Sequence, residues 1–261
     1  MNSISITGKM HPGFDSILTE EAQNFILKLH HKFGSTRKSL LEKRVKIHRK
    51  ILSGEMPGFL KETEYVRNGD WKAEPVPEDL QDRRCEITGP AEAKMMINAL
   101  NSGATIFMAD LEDSITPNWF NQIQGQQNLI DAYERTLEFT SPQGKEYRLN
   151  KEGLATLILR PRGWHLDEKH ILIDGESACG ALVDAGLYLF HNIKRTLDKG
   201  TGPYFYLPKL ENHLEARLWD EVFTFSEEEL GVNTGTIKAT VLLETILAAF
   251  EMEEIIYELR R

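Results

Sequence analysis

The chain has 261 residues, of which 41% are hydrophobic and 27% charged, and its formal net charge is −9. This balance is ordinary for a globular protein, and it argues against nucleic acid as the main partner because phosphate binding needs clustered positive charge. No apolar stretch approaches the roughly 20 residues of a membrane span. Cys85 and Cys179 have no metal-ligand spacing and are not expected to pair. With a chain start that lacks the apolar core of a signal peptide, this predicts a cytoplasmic protein.

Residues 1–80 are predicted to form a helical region followed by an irregular linker. Apolar spacing predicts a helix over Thr19–Phe33, ended by Gly34, and a second helix from about residue 35 to Ser53. The two helices are expected to pack as a hairpin. The basic cluster at 37–49 is interpreted as a solvated helix face. Prolines and glycines between residues 55 and 80 predict a linker that follows a neighbouring surface.

From Arg83 onward, short apolar runs alternate with amphipathic helical segments, and a hairpin is expected over Leu137–Leu149. The segment between residue 160 and the helix near residue 181 is interpreted as an irregular loop. Five βα units in series imply a parallel sheet, either doubly wound or part of a barrel. No glycine-rich phosphate loop follows the first strand, which disfavours a dinucleotide-binding fold. The predicted strands are Cys85–Thr88, Thr105–Asp110, Ala155–Arg160, Tyr204–Lys209 and Thr236–Glu244, and the predicted helices are Ala91–Asn101, Asn118–Arg135, Ala181–Lys199, His213–Leu230 and Ala248–Arg261.

Four of the predicted strands end on a charged side chain: Asp110, Arg160, Lys209 and Glu244. Continuous apolar runs are typical of buried parallel strands. In β/α barrels, reactive residues lie at the carboxyl ends of such strands. The four side chains are therefore expected to converge at the carboxyl-terminal end of the strands, which we call the mouth.

Asp110 and Glu112 point to the same side of an extended chain, so they can bind a hard cation, directly or through water, or pair with a guanidinium group. Arg160, which is separated from Arg162 by a proline, suits an anionic carboxylate or an enolate; the alternative is an ion pair with a mouth carboxylate. Glu244 ends the most apolar strand. It is interpreted as a Mg²⁺ ligand, with an ion pair to Lys209 or Arg160 as the alternative.

These residues lie in long blocks that resemble the A-type malate synthases. The resemblance extends from about residue 70 to the end of the chain, and the N-terminal helices fit the family's helical clasp. It implies a partial TIM (β/α)8 barrel of about five βα units over residues 81–261, preceded by a helical clasp and linker over residues 1–80. The matching blocks include MADLEDSITPNW, RPRGWHLDEKH, GTGPYFYLPKLENHLEARLWDEVF and GTIKATVLLETILAAFEMEEIIYELR.

The resemblance also implies a reaction, the Mg²⁺-dependent condensation of acetyl-CoA with glyoxylate and hydrolysis to malate and CoA in the glyoxylate cycle. By motif, Arg160 corresponds to the family's catalytic and substrate-binding arginine. Glu244 corresponds to a metal ligand at the substrate, and Asp110 and Glu112 correspond to the acidic pair near the metal's waters. Arg160 would neutralise the enolate and the aldehyde oxygen during attack.

Two groups that the family is expected to use do not occur in this sequence. These are the aspartate of a Gly-Arg-Trp-Asp-Tyr block, a second metal ligand, and a more distant aspartate that acts as the catalytic base. The remaining barrel strands and the C-terminal helical domain are likewise expected to be absent. The chain alone is therefore predicted to be inactive, and a separate C-terminal half is a predicted partner. Two alternatives remain: a related CoA-ester lyase of the malyl or citryl type, and a non-catalytic remnant or complementing fragment.

Overall fold

The computed structural model describes residues 3–261. Met1 and Asn2, which belong to the predicted N-terminal region, lie outside the described residues. The strands are β1 (Ile4–Ile6), β2 (Glu86–Pro90), β3 (Ile106–Asp110), β4 (Glu138–Thr140), β5 (Glu146–Arg148), β6 (Thr156–Arg160), β7 (Asp167–Ile173), β8 (Glu176–Cys179), β9 (Tyr204–Leu207) and β10 (Lys238–Val241). The helices are α1 (Phe14–Ile17), α2 (Glu20–Leu52), α3 (Glu64–Arg67), α4 (Ala93–Leu100), α5 (Trp119–Glu134), α6 (Gly180–Asp198), α7 (His213–Leu230), α8 (Ile246–Ala249) and α9 (Met252–Glu258), and Glu78–Leu80 form a 3₁₀ turn.

The central sheet contains five parallel strands in the order β2, β3, β6, β9 and β10. The strands lie side by side in the same order in which they occur along the chain. Right-handed crossovers between such neighbours bring all the connecting helices to one side of the sheet. A doubly wound sheet would reverse direction at a switch point. Within residues 3–261 the sheet does not close, and β2 and β10 are its two edges. The prediction of a partial β/α barrel is confirmed.

The two faces of this sheet have different partners. Alternate residues such as Phe107, Leu159 and Phe205 point outward into the main hydrophobic core, which they share with α2, α4, α5, α6 and α7. The intervening residues, Ile106 and Ile158 among them, point to the inner, concave face. This alternation follows from the two-residue period of a strand. It also places Asp110 and Arg160 on the inner face, at the carboxyl ends of their strands.

The linker covers the inner face near the amino ends of the strands. Leu80 is only 4% exposed and packs there with Ile106, Ile158 and Tyr204. The neighbouring Asp79 accepts a hydrogen bond from the Tyr204 hydroxyl at 2.7 Å. The linker therefore closes one end of the partial barrel with apolar contacts and hydrogen bonds.

The predicted helical hairpin is wrong, because α2 is one continuous helix of 33 residues that passes through Gly34. Its N-terminus begins after Thr19, whose side chain accepts a hydrogen bond from the backbone N–H of Ala22. A glycine inside a helix costs only about 1 kcal/mol relative to alanine. Here the apolar face continues on both sides of Gly34, with Phe33 and Leu40 buried in the main core. That burial outweighs the local preference for a break.

The loop predicted after residue 160 is also wrong in part, because it contains the hairpin β7–β8. This hairpin pairs with β1 in a three-stranded antiparallel sheet. Its turn residues Asp174 and Gly175 have φ values of 53° and 89°, the left-handed conformations that a tight two-residue hairpin requires. The Asp-Gly pair that follows the apolar run Ile171–Ile173 was the sequence signal for this element.

The remaining helices and hairpin agree with the prediction, except at the C-terminal end. Helix α7 has the predicted bounds, and the hairpin β4–β5 lies where it was expected. The predicted helix Ala248–Arg261 is instead two short helices, α8 and α9, interrupted near Glu251. In the part of the chain described here, none of the helices has both the length and the apolar character to cross a membrane.

Candidate active site at the strand ends

The four charged residues predicted at the strand ends converge at the open end of the partial barrel. Strands β9 and β10 are shorter than predicted and end at Leu207 and Val241, so Lys209 and Glu244 lie in the loops that follow them. The Nη2 atom of Arg160 lies 3.6 Å from Oδ2 of Asp113, and the same Oδ2 lies 3.0 Å from Nζ of Lys209. Lys209 Nζ in turn lies 2.9 Å from Oε2 of Glu244. A continuous series of alternating charges therefore crosses the mouth from β6 to β10.

Asp110 and Arg160 form a bidentate ion pair between adjacent strands. The sheet register places the two residues side by side. Arg160 donates from Nε and Nη2 to the two carboxylate oxygens at 2.7 and 2.5 Å. Asp110 also accepts the backbone N–H groups of Glu112 and Ser114. Burial acts to raise the pKa of Asp110, but these hydrogen bonds, led by that of Arg160, hold it below its usual value.

This pairing leaves part of the Arg160 guanidinium free. Nε and Nη2 donate to Asp110, whereas Nη1 has no hydrogen-bond partner anywhere in residues 3–261. The side chain is largely buried, with 8% exposed. Because Asp110 holds one edge of the planar group, Arg160 presents its other donors in a fixed direction. It can therefore donate to an anion that enters the mouth.

Glu112 is the least satisfied carboxylate of the site. Its Oε1 accepts a hydrogen bond from the backbone N–H of Gly163 at 3.1 Å, while its buried Oε2 has no partner among the described residues. The nearest cation, Arg160 Nε, is 4.0 Å from Oε2. Burial, and then the negative charge of Asp113, raise the pKa of Glu112 to about 7. Glu112 is thus placed to exchange a proton, or to accept a hydrogen bond from a bound water, near neutral pH.

Glu244 contacts Lys209 twice. Its Oε1 accepts the backbone N–H of Lys209 at 2.8 Å and its Oε2 pairs with Nζ. Lys209 itself adopts a left-handed backbone conformation with φ of 55°, which is uncommon outside glycine. The ion pair with Lys209, one of the two interpretations of Glu244, is therefore present in the structure. The role of Glu244 as a metal ligand remains a prediction.

The acidic residues at the mouth do not form a complete metal site by themselves in the part of the chain that the structure describes. Within residues 3–261, no group of three or more His, Cys, Asp or Glu side chains converges as a complete metal site would. Magnesium is commonly held by one or two carboxylates together with water and substrate oxygens. Glu244 is one carboxylate at the mouth, and Oε2 of Glu112 is an acceptor without a partner among the described residues. The four acidic side chains Asp110, Glu112, Asp113 and Glu244 outnumber the two cations Arg160 and Lys209.

Arg162 does not join this mouth, although it is only two residues from Arg160. It is 3% exposed and lies between Asp184 of α6 and Glu168 of β7. These contacts place it behind the loop that follows β6.

The sequence pattern assigns no catalytic, substrate-binding or metal-binding role to three residues of this region. Asp113 is one of them, and it bridges Arg160 and Lys209. Lys209 was predicted to lie at the mouth and was an alternative partner for Glu244, and it forms that ion pair. Asp184 was not considered, although an acidic residue on the apolar helix Ala181–Phe190 was a usable signal for a buried ion pair.

Comparisons with known proteins agree with this architecture. The model of the malate synthase N-terminal domain matches residues 2–65, and the model of the malate synthase TIM barrel domain matches residues 156–261. A malate synthase of Myxococcus xanthus is 55% identical over 257 residues, which cover 98% of this chain and 47% of that protein. A malate synthase of Dictyostelium discoideum is 55% identical over 262 residues, which cover 100% and 48%. A protein of Gossypium hirsutum named glyoxysomal malate synthase is 49% identical over 261 residues, which cover 98% and 46%.

Proposed function

This chain belongs to the malate synthase family, and we propose that its strand-end residues form the part of a malate synthase site that binds glyoxylate and stabilises the enolate. The chain spans about half the length of the curated relatives it matches. The proposed reaction joins the methyl carbon of acetyl-CoA to the aldehyde carbon of glyoxylate, after which water cleaves the thioester to give malate and CoA. The observation that carries the proposal is the Arg160 guanidinium, held along one edge by Asp110 and free at Nη1.

Arg160 acts on charge that develops during the reaction. Loss of a proton from the acetyl methyl group produces an enolate, and attack on the aldehyde moves negative charge to the aldehyde oxygen. A guanidinium fixed before the reaction stabilises both charges without reorganising, and a donor of this kind contributes roughly 10²–10³ in rate. Asp110 keeps Arg160 in place by accepting two parallel hydrogen bonds, and it stays ionised because of them.

The remaining assignments concern a magnesium ion. Glu244 is the proposed ligand, and it would give up its contact with the Lys209 ammonium group to hold the metal. The free oxygen of Glu112 is the proposed acceptor for a metal-bound water. When bound, magnesium would polarise the aldehyde of glyoxylate and orient its carboxylate. None of these residues is proposed as the base that removes the methyl proton.

Malate formation in a reconstituted system tests the proposed function. The purified chain alone is expected to form no malate from acetyl-CoA, glyoxylate and Mg²⁺. Addition of a polypeptide that comprises the unmatched half of the Myxococcus xanthus relative is expected to restore malate and free CoA. In that mixture Arg160→Lys should lower the rate by about 10²-fold or more, because a lysine cannot make the bidentate contact with Asp110.

Arg84→Lys is the matched control, because Arg84 has a side chain that is 89% exposed and, within residues 3–261, pairs only with Asp82. It should leave the rate unchanged. A reconstituted rate that survives Arg160→Lys would overturn the assignment of Arg160. Cleavage of malyl-CoA or citryl-CoA without condensation would instead favour the CoA-ester lyase alternative, and a mixture without any turnover would favour a non-catalytic fragment.

Binding of Mn²⁺, a paramagnetic substitute for Mg²⁺, tests the metal assignment without turnover. Glu244→Gln should weaken Mn²⁺ binding by tenfold or more in the presence of glyoxylate, as measured by electron paramagnetic resonance, because a carboxylate ligand is lost. Glu253→Gln removes an exposed carboxylate on α9 and should have no effect. Equal affinity in the wild type and Glu244→Gln would rule out Glu244 as a ligand.

We also propose a cytoplasmic location. The free thiols of Cys85, which is exposed, and Cys179, which is buried, are in keeping with a reducing compartment. Relatives from Gossypium hirsutum and Cucumis sativus are named glyoxysomal. Fractionation of the source cells distinguishes the two compartments, and recovery of the chain with organelles would reject the cytoplasmic assignment.

A further inference from the structure

The loop that follows β6, residues 161–167, is held in an unusual way. Its backbone groups are bound mainly by side chains from other elements. Arg37 of α2 donates from Nε to the carbonyl of Trp164 at 2.6 Å and from Nη2 to that of Leu166 at 3.3 Å. Arg37 is itself 6% exposed and pairs with Asp167. The long helix therefore fixes the second half of the loop.

The first half of the loop is fixed by Asp184 of α6. One oxygen of Asp184 accepts both the backbone N–H and the Nε–H of Arg162, each at 2.9 Å, and the other accepts Nη2 at 2.7 Å. Glu168 accepts the remaining nitrogen, Nη1, at 2.8 Å. Asp184 thereby fixes the main chain and the side chain of the same residue at once.

Two glycines allow this arrangement. A Cβ atom on Gly180, the first residue of α6, would lie 3.0 Å from Nε and 3.1 Å from Cζ of Arg162. A Cβ atom on Gly163 would lie 2.8 Å from the ring of His165 and 3.0 Å from Oε1 of Glu112. The loop thus approaches both the guanidinium and the Glu112 carboxylate more closely than a side chain would permit.

Buried ion pairs do not by themselves explain this cluster. Replacing such a pair by well-packed apolar residues is often neutral or stabilising, so charge burial is weak evidence of a role in stability. The ion pair instead fixes the orientation of the loop, because a forked guanidinium and a carboxylate hold each other in one geometry. The orientation of the loop matters because the next residue, Gly163, donates its backbone N–H to Glu112. Among the described residues, this is the only hydrogen bond that the Glu112 carboxylate accepts.

We propose that Arg162 and Asp184 are positioning residues, which hold the loop so that the Gly163 N–H fixes the carboxylate of Glu112 beside Arg160. Neither residue touches the substrate. The inference rests on the proposed function in one respect, namely that a fixed Glu112 carboxylate matters for catalysis only if this is the active site. The geometry itself can be tested without any turnover, so failure of one proposal is distinguishable from failure of the other.

Amide hydrogen exchange in the purified chain, followed by NMR, gives the test. In Asp184→Asn, protection of the Gly163 amide is expected to fall about tenfold or more relative to the amides of β6 in the same protein. A purely structural role would lower the protection of all core amides together through global opening. The ¹³C carboxyl resonance of Glu112 should move in the same variant, because its one hydrogen-bond donor is displaced.

A second variant covers the case in which Asp184→Asn does not fold. Gly180→Ala removes no charge but crowds the Arg162 guanidinium, and it should cause the same selective loss at Gly163. Glu254→Gln is the control for general destabilisation, since Glu254 is 1% exposed and pairs with Arg67 on α3, in a different part of the protein. Glu254→Gln should leave unchanged both the protection of the Gly163 amide relative to the β6 amides and the ¹³C carboxyl resonance of Glu112. The proposal is overturned if the folded Gly180→Ala variant keeps wild-type protection at Gly163, or if Glu254→Gln produces the same selective loss.

Discussion

The two ends of the same five strands are built differently. At the amino ends, the inner face is filled by the linker, where Leu80 packs on Ile106 and Ile158 and Asp79 satisfies the Tyr204 hydroxyl. At the carboxyl ends, the inner face carries ionised groups whose partners are incomplete, since one oxygen of Glu112 is buried without a partner among residues 3–261.

The same strands therefore contribute to stability at one end and to the candidate active site at the other. The closed end has what a stable core needs, namely apolar contacts and satisfied polar groups. The open end keeps unsatisfied donors and acceptors, which lower stability but can be used by a ligand. Such a division is characteristic of β/α barrels, where the amino-terminal face contributes stability and the carboxyl-terminal face contributes reactivity. Three substitutions test it and a fourth probes a helix outside both ends, from the largest expected effect to the smallest.

Asp110→Ala should give the largest loss of stability. It removes the two short hydrogen bonds of the buried Arg160 guanidinium and leaves only the more distant carboxylates of Asp113 and Glu112, at 3.6 and 4.0 Å. Breaking a buried ion pair in this way costs about 3–5 kcal/mol. Urea unfolding followed by tryptophan fluorescence measures the change, and Asp70→Ala, at an exposed position, is the control. The double variant Asp110→Leu/Arg160→Met should recover most of the loss, because it removes both charges together. A single variant as stable as the wild type would show that the pair is not buried in solution.

Glu112→Gln should change the pH dependence of stability. The pKa of Glu112 is raised in the folded protein to about 7 from an ordinary 4.5, so the folded state binds more protons than the unfolded state between these values. The contribution of Glu112 to the free energy of unfolding should therefore fall as the pH rises through that window, by on the order of 3 kcal/mol. The variant, compared by urea unfolding at pH 5 and pH 8, should lack this decrease. Identical decreases in both proteins would contradict the raised pKa.

Leu80→Ala tests the closed end. Removing this buried side chain should cost about 2–3 kcal/mol through lost contacts and a residual cavity. Leu52→Ala, at a residue that is 75% exposed, should cost less than about 0.5 kcal/mol. Urea unfolding of both variants measures the difference. Equal and small losses would mean that the linker does not stay against the strands in solution.

Gly34→Ala should have the smallest effect, and it lies outside both ends. The added Cβ would meet the ring of His30 at 3.4 Å, an ordinary contact, and alanine favours the helix by about 0.5–1 kcal/mol. The variant should therefore be slightly more stable by thermal unfolding. A destabilised variant would indicate that α2 bends or breaks at this position, as the sequence suggested.

Much of this arrangement could be predicted from the sequence because the central strands β3, β6 and β9 are largely buried and read as continuous apolar runs. The positions of Asp110 and Arg160 at strand ends followed directly from those runs. What could not be predicted is which charges pair, since that depends on sheet register and on the loops. Asp113 came to bridge Arg160 and Lys209 because the loop after β3 turns back over the mouth, which no local pattern indicates.

The other errors have a similar origin in long-range packing. Gly34 was predicted to end a helix from its local preference, but α2 is held by contacts with α6 and α7 that lie far away in sequence. The strand β1 has only three residues and pairs with β7, some 167 positions later. A segment this short has no periodicity of its own, and only its partner makes it a strand.

The order of the strands across the central sheet has a consequence for how the chain folds during synthesis. Since β2, β3, β6, β9 and β10 are neighbours in the same order as they are made, each completed strand finds its pairing edge already present. Such sequential pairing keeps loop closures short and favours rapid growth of the sheet. Helix α2 and strand β1 are made first but cannot dock until β7, β8, α6 and α7 have followed. We therefore expect the earliest part of the chain to be the last to take its final place.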